Sequence, residues 1–335
     1  MIPYLDIAVT EQTQVGEARR AANRLGTEHD LDETVRGRVA IIVTELGNNL
    51  WRHARKGRLL MGCRRNDEGC QLEVISIDSG PGMDVARCLR DGYSSGGTPG
   101  TGLGAVQRLS TDFSVFSSPD KGTVILSRTW VPASNELVAR PRTRFAHAGI
   151  CLAAPGETVS GDAWEVRLEA DAKAAVIVAD GLGHGPVAAE AAAEALKAFG
   201  ALRGAPASVL ERAHPAMRTT RGAAVSMLQL DANAGTIVYA GAGNIAGRVI
   251  SGVEDRSLMS QHGTLGVQVR KLQDVSYAWP DHSIVVLHSD GLITRWNLKE
   301  VGGLLQCDPA VIAGWLVRDC TRGHDDVTVV VLKRG

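Results

Sequence analysis

Apolar positions recur at helical spacing near the start of the chain and give way to short apolar runs further along. The spacing over residues 11–25 and 32–53 predicts two helices, and the second is the longer. Weaker patterns predict a first strand at 2–9 and short helices at 84–90 and 101–109. The short apolar runs predict strands at 59–63, 71–77, 113–116 and 123–130.

The pattern breaks at residues 131–143, a polar stretch that holds Pro132 and Pro141 and is typical of a linker. Beyond it, apolar runs and helical spacing alternate in blocks. They predict strands at 145–153, 163–168 and 174–179, helices at 187–202 and 207–218, strands at 223–230, 236–240, 245–250, 275–278 and 284–288, a helix at 309–319 and a strand at 327–332. Helices grouped in this way indicate an α+β fold and not a doubly wound sheet.

Composition adds limits on size, location and partners. The 335 residues are enough for two domains, so we expect one at 1–130 and one at 144–335. The net charge is −1, and no long basic block indicates binding of nucleic acid or of an anionic membrane. The six cysteines form no CxxC pair, no apolar run spans a membrane, and the start lacks a signal-peptide pattern. We therefore expect a cytoplasmic protein.

The glycine-rich segments of the first half have the chemistry of a nucleotide site. Asp78 ends a predicted strand, where its carboxylate can accept a hydrogen bond from an adenine amino group. Gly80 and Gly82 allow the backbone to turn tightly beside a ligand. A second glycine-rich segment, residues 100–104, leads into a predicted helix, whose N-terminal N–H groups favour phosphate.

Glu45 and Asn49 lie four residues apart on the long predicted helix and therefore share one face. An asparagine oxygen suits Mg²⁺, and a neighbouring carboxylate can act as a general base. Asn48 competes with Asn49 for the Mg²⁺ role. Taken separately, a glycine-rich loop is more often a plain turn, and such a polar pair is more often a solvated helix face.

Together, residues 45–49 (ELGNN), 78–82 (DSGPG) and 100–104 (GTGLG) resemble the N, G1 and G2 boxes of the GHKL ATPase family. Residues 89–97 (LRDGYSSGG) resemble the lid of RsbT-type serine kinases. The resemblance implies a Bergerat α/β sandwich that binds ATP and Mg²⁺, with Glu45 as the catalytic base and Asn49 on the metal. The nucleotide-binding positions it implies are Asn49, Asp78, Gly80, Gly82, Gly100, Thr101, Gly102, Leu103 and Gly104.

The second half carries aspartates that are far apart in sequence, each at a strand end or a turn. They are Asp162, Asp180, Asp290 and the pair Asp325 and Asp326. Hydrolysis of a phosphate ester by metal-bound water needs several carboxylates that converge on two cations. A single Asp-Gly pair is most often a plain turn, so the prediction depends on the whole set.

These segments resemble PP2C-like phosphatases of the SpoIIE and RsbX type, which implies an αββα sandwich over residues 144–335. The carrying segments are 161–162, 179–185, 289–292 and 325–328. The resemblance implies Mn²⁺ or Mg²⁺ held by Asp180, the Gly181 carbonyl, Asp290 and one of the last pair, with Asp325 fitting the family position better than Asp326. Asp162 would position a metal or its water. His184 is either a general acid or a helix-start residue beside the site.

The two resemblances together imply a bifunctional partner-switching regulator. Its kinase and phosphatase would act on a serine or threonine of a STAS-domain protein, with output to a sigma factor or a signalling enzyme. Two alternatives stay open for the first domain. It could hold ATP and sequester a partner as anti-sigma factors do, or it could sense ATP and only gate the phosphatase.

Overall fold

The computed structural model describes residues 4–54, 56–66, 68–89, 102–133, 144–170 and 172–335. The chain divides into two compact units that are not contiguous in sequence. The N-terminal unit consists of Ile2–Ala139 together with Gln306–Arg318. The C-terminal unit consists of Arg140–Leu305 and Asp319–Gly335.

The N-terminal unit is built on one antiparallel sheet with the strand order β1-β2-β3-β5-β4. Its strands are β1 (Tyr4–Ala8), β2 (Arg58–Asn66), β3 (Gly69–Asp78), β4 (Asp112–Ser118) and β5 (Gly122–Pro132). Its first four helices are α1 (Gln12–Glu28), α2 (Glu33–His53), α3 (Val85–Cys88) and α4 (Gly102–Leu109). Apolar residues of α1, α2 and α4 form one core with alternate residues of β2 and β3.

Local chemistry explains where the two long helices begin and how closely they pack. The Asp32 carboxylate caps α2 by accepting a hydrogen bond from the Val35 N–H at 2.8 Å. Glu11 and Gln14 form a reciprocal capping box at the start of α1. A Cβ atom at Gly47 would lie 3.1 Å from Val15, so a glycine here permits the close approach of α1 and α2.

A fifth helix of the N-terminal unit, α7 (Pro309–Cys320), comes from the far end of the sequence. It covers the sheet face opposite α1 and α2, since a Cβ atom at Gly314 would lie 3.0 Å from Val124 and 3.4 Å from Ile75. The Trp315 ring meets Phe116 edge to face, with centroids 5.1 Å apart. The whole stretch 309–317 is buried, as its nearly unbroken apolar sequence requires.

An ion pair fixes the start of α7 on this sheet. The Arg128 guanidinium donates to both carboxylate oxygens of Asp308, at 2.7 and 3.0 Å, and also to Glu73. The Tyr4 hydroxyl donates to the same Glu73 carboxylate. Because Glu73 and Arg128 are almost completely buried, removal of one partner would leave an uncompensated charge.

The C-terminal unit contains two five-stranded sheets, ordered β15-β10-β9-β8-β7 and β12-β11-β16-β17-β6. The first sheet has β7 (Asp162–Ala170), β8 (Lys173–Gly181), β9 (Ala223–Asp231), β10 (Thr236–Ala242) and β15 (Val275–Ala278). The second has β6 (Phe145–Leu152), β11 (Ala246–Ile250), β12 (Asp255–Leu258), β16 (Ile284–His288) and β17 (Val327–Arg334). Two short strands, β13 (Gly263–Thr264) and β14 (Gln268–Val269), form a separate two-stranded sheet beside β9.

Two helices, α5 (Pro186–Ala201) and α6 (Pro206–Ala213), pack on the first sheet. Side chains from both sheets form a second core between them, which includes Trp164, Tyr239 and Trp279. The α+β prediction is therefore confirmed. Within the described residues, no helix is long and apolar enough to cross a membrane.

The division into units differs in one respect from the sequence expectation of two contiguous domains. The chain passes from one unit to the other near residue 140, inside the predicted linker 131–143, most of which lies outside the described residues. Residues 306–318, however, group with the N-terminal unit and interrupt the expected domain at 144–335. Periodicity predicts that this segment is a buried helix, but it does not say which sheet buries it.

Candidate nucleotide and metal sites

Asp78 lies at the end of β3, with its carboxylate turned back onto the following loop. One carboxylate oxygen accepts a hydrogen bond from the Gly80 N–H at 2.7 Å. Partial burial raises the pKa of Asp78, while hydrogen bonds from the Gly80 and Thr123 main-chain N–H groups and the nearby charge of Arg318 lower it.

The loop after Asp78 needs glycine because the backbone comes close to its neighbours. A Cβ atom at Gly82, where φ is +75°, would lie 2.4 Å from the Ser118 carbonyl oxygen. A Cβ atom at Gly80 would lie 3.0 Å from the His53 carbonyl oxygen. The last turn of α2, which begins just after Asn49, therefore abuts the loop that follows Asp78.

The remaining residues of the nucleotide prediction lie on α2 and at the start of α4. Glu45 and Asn49 are half-buried on one face of α2. Gly102 begins α4, and Leu103 and Gly104 are buried against the core. Gly100, Thr101 and the predicted lid beyond Leu89 lie outside the described residues.

The C-terminal unit brings the five predicted aspartates into one electrostatic cluster. Asp162 and Asp180 lie directly opposite each other at the ends of β7 and β8. Burial raises the pKa of Asp180 to about 9, with further increases from the other aspartates. The contributing neighbours are Asp162, Asp290, Asp325 and Asp326.

Asp162 is almost completely buried, as is Asp326. Burial raises its pKa to about 7, and the hydroxyl groups of Ser289 and Thr328 partly offset the effect. Its Oδ2 atom has no hydrogen-bond partner among the described residues. The Ser160 hydroxyl accepts a hydrogen bond from the Asp162 N–H at 3.1 Å.

The two adjacent aspartates at the start of β17 have different surroundings. Asp326 accepts hydrogen bonds from the Ala154 N–H at 2.8 Å and from the Gly161 N–H at 2.9 Å, so both its oxygens are occupied. Asp325 accepts only the Asp326 N–H, at 2.9 Å, in the part of the chain that the structure describes. Asp326 thus ties the loop before β7, whereas an oxygen of Asp325 remains available.

The glycines that follow Asp180 and Asp290 are required by backbone packing. A Cβ atom at Gly181 would lie 2.1 Å from the Ala188 carbonyl oxygen, and one at Gly291 would lie 1.9 Å from the Asp326 carbonyl oxygen. Each Asp-Gly turn is therefore pressed against another segment of the site. This packing fixes where the two carboxylates point.

The structure adds Asn244 to the aspartate cluster and places His184 in a contact on the protein surface. The Asn244 side-chain amide donates to Asp290 at 2.6 Å, although the glycine-rich turn that carries Asn244 had no predicted role. His184 pairs with Glu157 at 2.7 Å, and its side chain is 60% exposed. This contact favours the interpretation of His184 as a helix-start residue.

The donor set fits divalent cations. Mg²⁺ and Mn²⁺ prefer the oxygen atoms of carboxylates as ligands. Because no described residue donates a hydrogen bond to the buried Asp162 Oδ2 atom, this oxygen fits a cation or its water. Burial, and after it the neighbouring carboxylates, raise the pKa values of Asp162 and Asp180, and a bound cation would offset both effects by favouring the ionised carboxylates.

Each half of the chain matches the model of a known protein family. Residues 8–128 match the model of the histidine kinase-like ATPase domain, and residues 170–335 match that of stage II sporulation protein E (SpoIIE). The serine/threonine-protein kinase RsbT of Bacillus subtilis (strain 168) is 28% identical over 128 residues, which are 37% of this chain and 95% of the relative.

Two solved structures resemble the chain over slightly more than half its length. One, from work on the bacterial stressosome as a system adapted to control secondary messenger signaling, has 24% identity and a TM-score of 0.53, and covers 56% of this chain and 99% of that one. RsbX in complex with magnesium has 21% identity and a TM-score of 0.45, and the match covers 57% of this chain and 96% of the RsbX chain. The chain therefore joins a region that matches the histidine kinase-like ATPase domain, and is similar to RsbT, to a region that matches the SpoIIE domain.

Proposed function

We propose that this protein is a bifunctional regulator whose C-terminal unit removes phosphate from a protein serine or threonine and whose N-terminal unit adds it. The observation that carries the proposal is the buried carboxylate cluster around Asp180, on the same chain as an RsbT-like ATPase domain. Opposed activities on one chain suit a switch that is set by the phosphorylation of a partner.

In the phosphatase site, Asp180, Asp290 and Asp325 are the proposed metal ligands, together with the Gly181 carbonyl. Mn²⁺ or Mg²⁺ bound there would supply a water molecule acidic enough to attack phosphorus at neutral pH. Asn244 orients Asp290 through its 2.6 Å hydrogen bond. Asp326 is proposed to hold the loop at residues 154–161, since main-chain N–H groups occupy both its oxygens.

Asp162 has a separate proposed role. Its Oδ2 atom has no donor among the described residues and lies opposite Asp180 across the strand pair. A pKa near 7 lets this carboxyl hold or release a proton close to neutral pH. We propose that Asp162 acts on the attacking water, either by accepting its proton or by positioning the metal that holds it.

In the kinase site, Asp78 is the proposed adenine acceptor and Asn49 the proposed Mg²⁺ ligand. Glu45, one turn before Asn49 on the same helix face, would accept the proton of the attacking hydroxyl. The glycines at 80, 82, 100, 102 and 104 would let main-chain N–H groups approach the nucleotide, with Thr101 and Leu103 beside them.

The proposed substrate is a serine or threonine on a STAS-domain protein, with a sigma factor or a signalling enzyme further downstream. Support comes from the similarity to RsbT and from the fold shared with the stressosome-related structure. The second candidate for the N-terminal unit is an ATP-dependent sequestering module or ATP sensor without phosphoryl transfer. Glu45 favours the kinase, because a sequestering module needs no general base.

The phosphatase is tested on the phosphorylated partner with Mn²⁺ present. The expected result is metal-dependent phosphate release that falls at least about a thousandfold in Asp290→Ala, because the metal ligand is lost. Ser251→Ala, a change in an exposed turn, is the control. Full activity in Asp290→Ala would refute the metal assignment.

The kinase is tested in Asp180→Asn, which blocks removal of the phosphate. This variant, Mg²⁺-ATP and a STAS-domain protein of the same genome should give phosphorylated partner, and adding Glu45→Gln should abolish the product. If ATP binds but the partner is retained without any phosphate, the sequestering function replaces the kinase.

A further inference from the structure

Three potential metal ligands meet at one end of the N-terminal sheet, near the turn between β2 and β3 and at the opposite end of β3 from Asp78. His29 follows the last residue of α1, Cys63 lies in β2 and Cys70 lies in β3. The two sulfur atoms are 3.1 Å apart, and the three ligand atoms all lie within 4.8 Å of one another. No sequence motif marks this group, because its members come from three elements.

Both cysteines are about 1% exposed, whereas His29 is partly exposed. The site is thus open only on the histidine side. Burial raises the pKa of the Cys63 thiol well above its ordinary value, and the nearby Arg65 lowers it. Arg65 also donates a hydrogen bond to the His29 main-chain carbonyl, so a positive charge lies beside the two sulfur atoms.

The strand register favours a shared metal over a disulfide. Cys63 lies opposite Leu72, and Cys70 lies opposite Arg65, so the two cysteines are diagonal neighbours on one sheet face. Diagonal pairs have Cα atoms about 7–8 Å apart, beyond the usual range for a disulfide. A tetrahedral metal with Zn–S bonds of about 2.3 Å instead separates two sulfurs by about 3.7 Å. The sulfurs here are 3.1 Å apart, so they would have to separate by about 0.6 Å to bind the metal.

The imidazole ring of His29 is available as the third ligand. Within the described part of the chain, no residue forms a hydrogen bond with the ring. Its main chain is fixed on both sides, by the bond from Arg65 and by its own N–H, which donates to the Leu25 carbonyl at 3.2 Å. The ring therefore stands at the mouth of the site, above the two sulfurs.

We propose that His29, Cys63 and Cys70 bind Zn²⁺, with water as the fourth ligand. Two thiolates and an imidazole are a donor set that selects zinc over the Mg²⁺ and Mn²⁺ suited to the carboxylate cluster. Each thiol releases its proton to solvent when the metal binds. The bound ion ties the C-terminal end of α1 to the β2–β3 hairpin and thereby stabilises the N-terminal unit.

The test uses Co²⁺ as a spectroscopic substitute for Zn²⁺ in the full-length, reduced protein, with excess Mg²⁺ on the carboxylate cluster. Near-ultraviolet sulfur-to-cobalt charge transfer reports thiolate ligation, which carboxylates cannot produce. We expect this band in the wild type and in Cys88→Ser, a control at a half-buried cysteine outside the group. Zn²⁺ should displace the band, and Zn²⁺ should also raise the thermal unfolding temperature.

Cys70→Ser should lose the band, and His29→Gln should weaken Co²⁺ binding at least about tenfold. Circular dichroism checks that Cys70→Ser is folded. If Cys70→Ser does not fold, the result for His29→Gln decides the test, because His29 is partly exposed and its replacement should not disturb the fold. A wild type without the thiolate band, or an unchanged band in both variants, overturns the proposal. If the thiols of Cys63 and Cys70 are lost in air and the protein does not respond to Co²⁺, the zinc proposal is overturned in favour of a disulfide.

Discussion

The guanidinium of Arg318 donates a 2.8 Å hydrogen bond to the main-chain carbonyl of Asp78, a residue 240 positions earlier in the chain. The same guanidinium stacks on the Trp315 ring, 3.6 Å from its centroid. A residue from the SpoIIE half of the sequence thus supports the strand end that carries the proposed adenine acceptor. The ATPase domain, as folded, includes a helix that its family match at 8–128 does not contain.

Arg318→Ala should weaken ATP binding about five- to tenfold, because the Asp78 carbonyl loses a charged donor and the strand end loosens. Isothermal titration with a non-hydrolysable ATP analogue measures the effect. Arg270→Ala, at an exposed arginine of the C-terminal unit, should bind like the wild type. Equal affinities in all three proteins would show that Arg318 does not support the nucleotide site.

A fragment of residues 144–335 should be less stable than the sequence alone suggests. It keeps α7 but removes the sheet against which Trp315 and Gly314 pack, so an apolar helix face becomes exposed. We expect aggregation or a strong fluorescent response to a hydrophobic dye. A soluble fragment with the unfolding temperature of the intact chain would contradict this assignment of α7.

The complementary fragment gives an independent measurement. Residues 1–140 alone lack α7, and a synthetic peptide of residues 306–320 should bind to them and raise their unfolding temperature. A peptide with Asp308→Ala should bind at least about tenfold more weakly, since Arg128 would lose a bidentate partner. If both peptides bind equally, the ion pair does not hold the helix.

Stability of the metal-free protein should fall as pH rises from about 5 to 9. The folded-state pKa values of Asp162 and Asp180, about 7 and about 9, lie above the unfolded value of about 4. The folded protein therefore binds more protons in this window, and the stabilising contribution, complete below about pH 4, is lost as the carboxyls ionise. Urea unfolding of the intact protein at a series of pH values measures the slope.

Asp180→Asn should flatten this slope, whereas Glu254→Gln, at an exposed position, should leave it unchanged. Mn²⁺ affinity should rise over the same range, because the ligands must lose protons to bind metal. A slope of the opposite sign in the metal-free protein would mean that these carboxyls are ionised when folded.

Glycine substitutions test how tightly the metal turns are packed. Gly181→Ala and Gly291→Ala each force a Cβ atom to within about 2 Å of a carbonyl oxygen, so we expect losses of about 3 kcal/mol or more and weak Mn²⁺ binding. Gly200→Ala in α5 is the control, since a Cβ atom there meets nothing within 4 Å. It should be neutral or stabilising by up to about 1 kcal/mol. Tolerance of alanine at both turns would refute the packing argument.

Much of the fold follows from local sequence signals. The Asp32 cap and the apolar spacing of α2 predict that helix almost to the residue, and buried runs such as β16 are equally clear. The strand β12 was missed, because three of its four residues, Asp255–Leu258, are polar and exposed at the sheet edge. An edge strand with few buried side chains gives no alternating pattern.

The sites divide in the same way. The Asp180 and Asp290 turns could be predicted because each carboxylate follows an apolar strand and precedes a glycine. Partnerships such as Asn244 with Asp290, or Cys63 with Cys70 and His29, depend on which strands pair and where helices end. No local pattern encodes such contacts.

Both units are proposed to act on the same hydroxyl group, and the intact mass of the partner over a full cycle tests this. A STAS-domain protein is phosphorylated by the Asp180→Asn variant with Mg²⁺-ATP, freed of nucleotide, and then treated with the Glu45→Gln variant and Mn²⁺. We expect that one phosphate appears, maps to one serine or threonine, and is then completely removed. A partner that is never phosphorylated, or a phosphate that the second variant leaves in place, would contradict it.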